Sequence, residues 1–148
     1  MNNPNPQQPV YQQAPIAPLR TNRSLAKMIF LSLITFGIYG LWLMTTVSTD
    51  INTIASRYDG KKTMHFLLLL FIIGPITLCI GYLVWNHRLA NRIGAELQRR
   101  GIVYPISASS FWGWGFFGTL IVVGPFIYYH KILTGMNLLS ESYNQIGF

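Results

Sequence analysis

The sequence predicts an all-α integral membrane protein built from three helix-break-helix units, and three observations predict it. Hydrophobic residues make up 51% of the 148-residue chain and charged residues only 10%, well under the roughly 25% of an ordinary soluble domain. The apolar residues gather in three segments, about residues 28–47, 65–85 and 111–129, each near the ~20 residues a helix needs to cross hydrocarbon. Each segment is interrupted by helix-breaking residues: Gly37 and Gly40 in "LITFGIYGLW", Gly74 and Pro75 in "FIIGPITLCI", and Gly124 and Pro125 in "LIVVGPFIYY". Glycine is favoured just past a helix end and proline at the first helical position, so each Gly-Pro pair reads as one helix stopping and another starting, while Gly37 and Gly40 in the same place loosen the helix or let another backbone approach closely.

Ahead of these units, residues 1–22 are expected to form a disordered tail. Five of the eight prolines fall in the first 18 residues among Asn and Gln, a composition that buries too little apolar surface to offset ordering entropy. Its first 19 residues carry no charge, so it lacks the order of a signal peptide. The membrane domain is expected over residues 23–148.

Amphipathic extensions follow each apolar segment: "TTVSTDINTIASRY", "HRLANRIGAELQRR" and "HKILTGMNLLSESY" align without gaps. Val47, Ile51, Ile54 and Tyr58 match Ile132, Met136, Leu139 and Tyr143, a spacing that lays one apolar face along a helix. The middle copy keeps Leu89 and Ile93 but puts Glu96 in the third place, with Leu97 beside it.

Two topologies fit this pattern. Three kinked transmembrane helices, with the N-terminus cytoplasmic, place seven Lys/Arg inside and four outside, in keeping with the positive-inside bias. Three re-entrant hairpins place all eleven on one side. The spans are preferred, because a turn in mid-bilayer exposes backbone groups that each cost several kcal/mol if unsatisfied.

The net charge of +7 sits at the borders of the apolar segments, in Arg20, Arg23, Lys27, Arg88, Arg92, Arg99 and Arg100. That placement points to anionic lipid headgroups as partners rather than nucleic acid, which wants a basic and aromatic platform away from lipid. Trp42, Trp85, His87, Arg88, Trp112, Trp114, His130 and Lys131 are expected as interface anchors, with an apolar body in lipid and a polar tip at the headgroups. No metal site is expected, since no two histidines stand three or four apart. No cofactor-binding or catalytic residues are assigned, because no nucleophile, P-loop or zinc-hydrolase motif occurs. Cys79, alone in an apolar run, reads as a packing residue.

The stretches "SLITFGIYGLW", "DINTIASRYDGKKTMHF", "GPITLCIGYLVWNHRLANRIGAELQRRGI" and "ASSFWGWGFFGTLIVVGPFIYYHKILTGMNLLSESYN" resemble the bacterial small membrane proteins of the domain of unknown function 4234 family. The likeness covers about residues 20–146. It implies a multi-pass protein of the bacterial cytoplasmic (inner) membrane and carries no activity, ligand or catalytic residue. The function expected from all of this is a non-enzymatic structural or accessory component that associates with itself or with a larger membrane complex. The alternatives are an oligomeric channel or pore subunit and, less favoured, a lipid-modifying enzyme.

Overall fold

The computed structural model describes residues 14–147, all of whose regular structure is helical. The chain folds as three helical hairpins. In the first, α1 (Leu25–Ile34) rises and α2 (Ile38–Asp59) descends. In the second, the rising arm is a composite of α3 (Phe66–Leu68), a π-helical stretch (Leu69–Ile73) and α4 (Gly74–Ile76), and α5 (Ile80–Arg99) descends. In the third, α6 (Ala108–Ser110), a π-helical stretch (Phe111–Phe116) and a 3-10 helix (Phe117–Ile121) rise, and α7 (Gly124–Ile146) descends.

Why the chain doubles back is local chemistry. Between α1 and α2, Phe36 and Gly37 both take positive φ; between α4 and α5, Leu78 and Cys79 do; before α7, Val122 does. A left-handed residue carries the chain out of the helical path and reverses it. The two arms then touch close to each turn. A Cβ on Gly40 would lie 2.9 Å from Ser32 Oγ, and one on Gly118 would lie 2.8 Å from Gly124 Cα.

The descending helices α2, α5 and α7 pack side by side and run the same way. Tyr82 and Tyr129 share a hydrogen bond near the tops of α5 and α7. The Tyr128 hydroxyl donates to Asn86 Oδ1 at 3.1 Å, and Arg100 donates to Ser142 Oγ at 3.1 Å near their lower ends. Arg92 ties the lower half of α5 to Asn52, Ser56 and Asp59 on α2. Parallel packing puts all three turns at one end of the bundle. The core fills the other end: Val47, Ile51 and Ile54 of α2, Leu89, Ile93 and Leu97 of α5, and Ile132, Met136, Leu139 and Tyr143 of α7 are buried. These are the residues spaced along one face of each helix, and Tyr58, at the bottom of α2, lies outside the core with Arg99 stacked 3.5 Å over its ring.

The connection after α5 closes against the bundle through Gly94. A Cβ there would stand 3.1 Å from the Ile106 carbonyl carbon and closer still to its oxygen. Because the obstacle is backbone, Gly94→Ala is expected to destabilise the fold by about 2 kcal/mol, the scale of an overpacked core. Thermal unfolding in detergent measures it, and an unchanged midpoint would mean that the loop does not sit this close.

Three sequence expectations change here, while the first and third breaks stay with Gly37 and with Gly124-Pro125. No helix among the described residues is long and apolar enough to cross a membrane, because each apolar segment is spent on two short antiparallel arms rather than one kinked span. The second break lies at Leu78 and Cys79, while Gly74 and Pro75 stay helical as the start of α4. Gly40 lies within α2 as a close-contact residue; Gly37 supplies the turn, and Gly124 and Pro125 open α7. The expected tail over residues 1–22 falls partly outside the described residues, and its remainder is held as a strap on α7. Asn144 grips Leu19 through both N–H (2.7 Å) and C=O (2.8 Å), and Asn137 grips Arg23 in the same way (3.0 and 2.7 Å). A primary amide has one donor and one acceptor face to offer a peptide group, so two asparagines seven residues apart suffice to order the strap.

Candidate lipid-facing site

The turn end of the bundle carries the exposed apolar surface. Phe30, Leu33, Ile34, Phe36 and Ile38 project from the first hairpin, Phe71, Ile72, Ile76, Leu78 and Ile80 from the second, and Phe117, Leu120, Ile121, Val122 and Val123 from the third. At the very tips, Phe36 is 97% exposed, Leu78 86% and Val122 72%. No Asp, Glu, Lys or Arg occurs in residues 28–49, 63–87 or 101–130. Exposed apolar patches beyond a few hundred Å² mark interaction surfaces.

The tip residues break a backbone rule in order to be apolar. A left-handed turn suits Gly or Asn, and the conformation costs an ordinary side chain of order 1–2 kcal/mol. Here the positions hold Phe36 (φ 51°), Leu78 (φ 49°), Cys79 (φ 68°) and the β-branched Val122 (φ 62°). Apolarity at the tip outranks local conformational preference.

The turns also satisfy their own backbone. Gly37 N–H reaches Ser32 C=O at 2.7 Å, Cys79 N–H reaches Gly74 C=O at 2.8 Å, and Val123 N–H reaches Ile121 C=O at 2.7 Å. Two threonines add to this. Thr35 donates its hydroxyl to Leu31 C=O (2.7 Å) and accepts from Tyr39 N–H (3.0 Å); Thr77 does the same with Ile73 C=O (2.6 Å) and Gly81 N–H (2.9 Å). Thr119 donates to Gly115 C=O at 2.8 Å. Thr35 and Thr77 therefore supply acceptors to the Tyr39 and Gly81 N–H groups just beyond the break, and part of the cost that argued against mid-bilayer turns is met inside the hairpin.

About 12 Å of helix separates each tip from the first polar ring: eight residues from Gly37 to Thr45 and eight from Cys79 to His87, at 1.5 Å each. At that level the expected anchors separate into two kinds. Trp112 Nε1 donates to His87 Nδ1 at 3.0 Å, Arg20 stacks 4.6 Å over Trp42, and Lys131 Nζ donates to Pro105 C=O at 2.9 Å. Trp114, Arg88 and His130 are exposed. Trp85, in contrast, is 5% exposed, donates to Met64 C=O at 2.9 Å and packs on Phe66. It is a core residue, because the rising arm of its own hairpin covers it.

Below the ring lie three buried guanidinium clusters that the linear sequence did not reveal, one of them Arg100 on the buried Glu96 carboxylate at 2.8 Å. Arg92 makes six hydrogen bonds, to Asp59 through Nε and Nη2, and to Asn52, Thr63, Ser56 and Lys61 C=O. Burial pushes the Asp59 carboxyl up, but the hydrogen bonds from Arg92 and from Lys61 N–H, with their charges, outweigh it and hold it below the usual range. Arg23 pairs with Asp50 and donates to Ser140 at 3.1 Å. There burial prevails on both partners, lowering the Arg23 pKa and raising that of Asp50. Among the described residues no three of His, Cys, Asp and Glu come together as a metal would need.

No curated protein and no solved structure matches the chain. The family described as Domain of unknown function (DUF4234) matches residues 23–95, a shorter stretch than the resemblance read from the sequence phrases, running from the strap's Arg23 through the first hairpin and most of the second. Residues 23–95 thus belong to the DUF4234 family, a domain whose description assigns no activity.

Proposed function

We propose that this protein is a non-enzymatic structural component of the bacterial cytoplasmic membrane, entering one leaflet by its three hairpin tips and resting its polar bundle on the headgroups. The observation that carries the reading is the choice of Phe, Leu, Cys and Val at turn positions where the backbone favours Gly or Asn. In water nothing compensates for that choice; in hydrocarbon, burying each tip side chain returns about 1.5–3 kcal/mol.

Depth supports the same reading. Arms of about 12 Å match one leaflet of a hydrocarbon core roughly 30 Å thick and fall short of two. With the three tips at one end, every Lys and Arg lies at the polar ring or beyond it, where Lys27, Arg88, Lys61 and Lys62 are exposed to anionic headgroups, each worth about 1 kcal/mol near such a surface. A pore lined by a single copy has no support from arms this short.

The test is accessibility. In a Cys79→Ser background, single cysteines at Lys61, Gln98 and Ser142 are expected to react with an impermeant reagent from the same face, the cytoplasmic one. Gln98 reacting from the opposite face to the other two would restore kinked spans and overturn the leaflet reading. Recovery of the protein as a detergent-free monomer in the aqueous fraction would overturn membrane residence altogether.

A further inference from the structure

We infer that the protein curves the membrane it occupies, acting as a wedge that makes the bilayer convex on the face bearing the polar bundle. The inference rests on the reading that the tips enter one leaflet, and goes beyond it by assigning what that insertion does.

Six helical arms enter together: three rise and three descend. Near the turns the arms of each hairpin are in direct contact. Gly81 has no room for a Cβ beside Ile73 Cγ2 (2.6 Å), Gly40 sits on Ser32, and Gly118 sits on Gly124. No lipid chain fits between such arms, so each pair displaces lipid as a solid body. A helix about 10 Å across has a cross-section near 80 Å², and six add on the order of 500 Å² to one leaflet. The opposite leaflet receives nothing, since each arm turns back after about 12 Å. Two coupled leaflets of unequal area relax by bending toward the smaller one, and partition of such insertions is sensitive to curvature.

The π-helical stretches make the wedge broad. Leu69–Ile73 and Phe111–Phe116 widen the rising arms of the second and third hairpins, where Trp112, Trp114 and Phe116 project outward just inside the polar ring. Bulk near the headgroups rather than at the mid-plane is the placement that bends a leaflet most.

The experiment uses the purified full chain and vesicles of phosphatidylethanolamine with phosphatidylglycerol. Flotation against small sonicated and large extruded vesicles, at equal lipid, reads preference; electron microscopy across rising protein-to-lipid ratios reads shape. Several-fold greater partition onto small vesicles, and large vesicles that narrow to tubules or small particles as protein is added, are expected. Equal flotation on both sizes with unchanged diameters would overturn the wedge while leaving leaflet insertion standing. No flotation on either would overturn both.

Discussion

Replacing Phe36, Leu78 and Val122 together by Asp is expected to release the protein from membranes while leaving its helical fold intact. Each of the three is a turn residue with positive φ and is mostly exposed, so truncating it removes little packing. Asp visits the left-handed region more readily than Phe, Leu or Val, and in water the substitutions should firm the turns. In the leaflet the sign reverses. A carboxylate within hydrocarbon costs about 2.5–3.5 kcal/mol even on the milder insertion scale, so three cost roughly 8–10 kcal/mol, about a millionfold in partition. Flotation on anionic vesicles with circular dichroism on the same sample separates the two effects. A triple variant that still floats would show that these tips are not in lipid, and one that unfolds would show that they pack on something in the protein.

The largest effect on stability is expected at Arg92. It is nearly buried and holds Asp59, Asn52, Ser56, Thr63 and the Lys61 carbonyl at one point. Asn52, Thr63, Ser56 and the Lys61 carbonyl lose a buried donor while Asp59 keeps part of its solvent, and a stranded buried polar group costs about 1–3 kcal/mol, so Arg92→Met should lower the unfolding midpoint in detergent by several degrees. Arg92→Lys keeps the charge but loses the planar fork, and most of the loss should remain. The acid response tests the assignment. Asp59 is held below its ordinary range, so its contribution is complete above about pH 4 and disappears as the pH falls through the lowered value. In the methionine variant burial acts with less opposition, and this acid-side loss should shrink. An unchanged acid limb would mean that Arg92 does not set the ionisation of Asp59.

How far the sequence disclosed this arrangement depended on whether a feature is local. The apolar faces of α2, α5 and α7 were legible because side chains at i, i+4 and i+7 share a helix surface, and Val47, Ile51, Ile54, Ile132, Met136 and Leu139 are buried as that spacing requires. The doubling back was harder to read. Gly74-Pro75 drew attention to the wrong place, because proline fits the first turn of a helix without ending the chain's direction, whereas the reversal sits at Leu78 and Cys79, which carry no turn signature. Thr35 and Thr77 each bond back to their own helix, yet the second half of the role, accepting an N–H beyond the break, needs the turn itself. Trp85 looked like a boundary residue because tryptophan favours that zone; only the return of the chain through Met64 and Phe66 encloses it. Likewise the amide grips on Leu19 and Arg23 join residues more than a hundred positions apart, beyond any spacing rule.

Those grips have a consequence for biosynthesis. Ile16, Leu19 and Arg23 find their partners on Tyr143, Asn144 and Asn137, more than a hundred residues further along the chain. A nascent chain can complete its first two hairpins, but the segment before α1 lacks these partners until α7 has been made. The strap is therefore a latch that closes only after both earlier hairpins exist, and a ribosome that stops before residue 137 releases a product that cannot fasten.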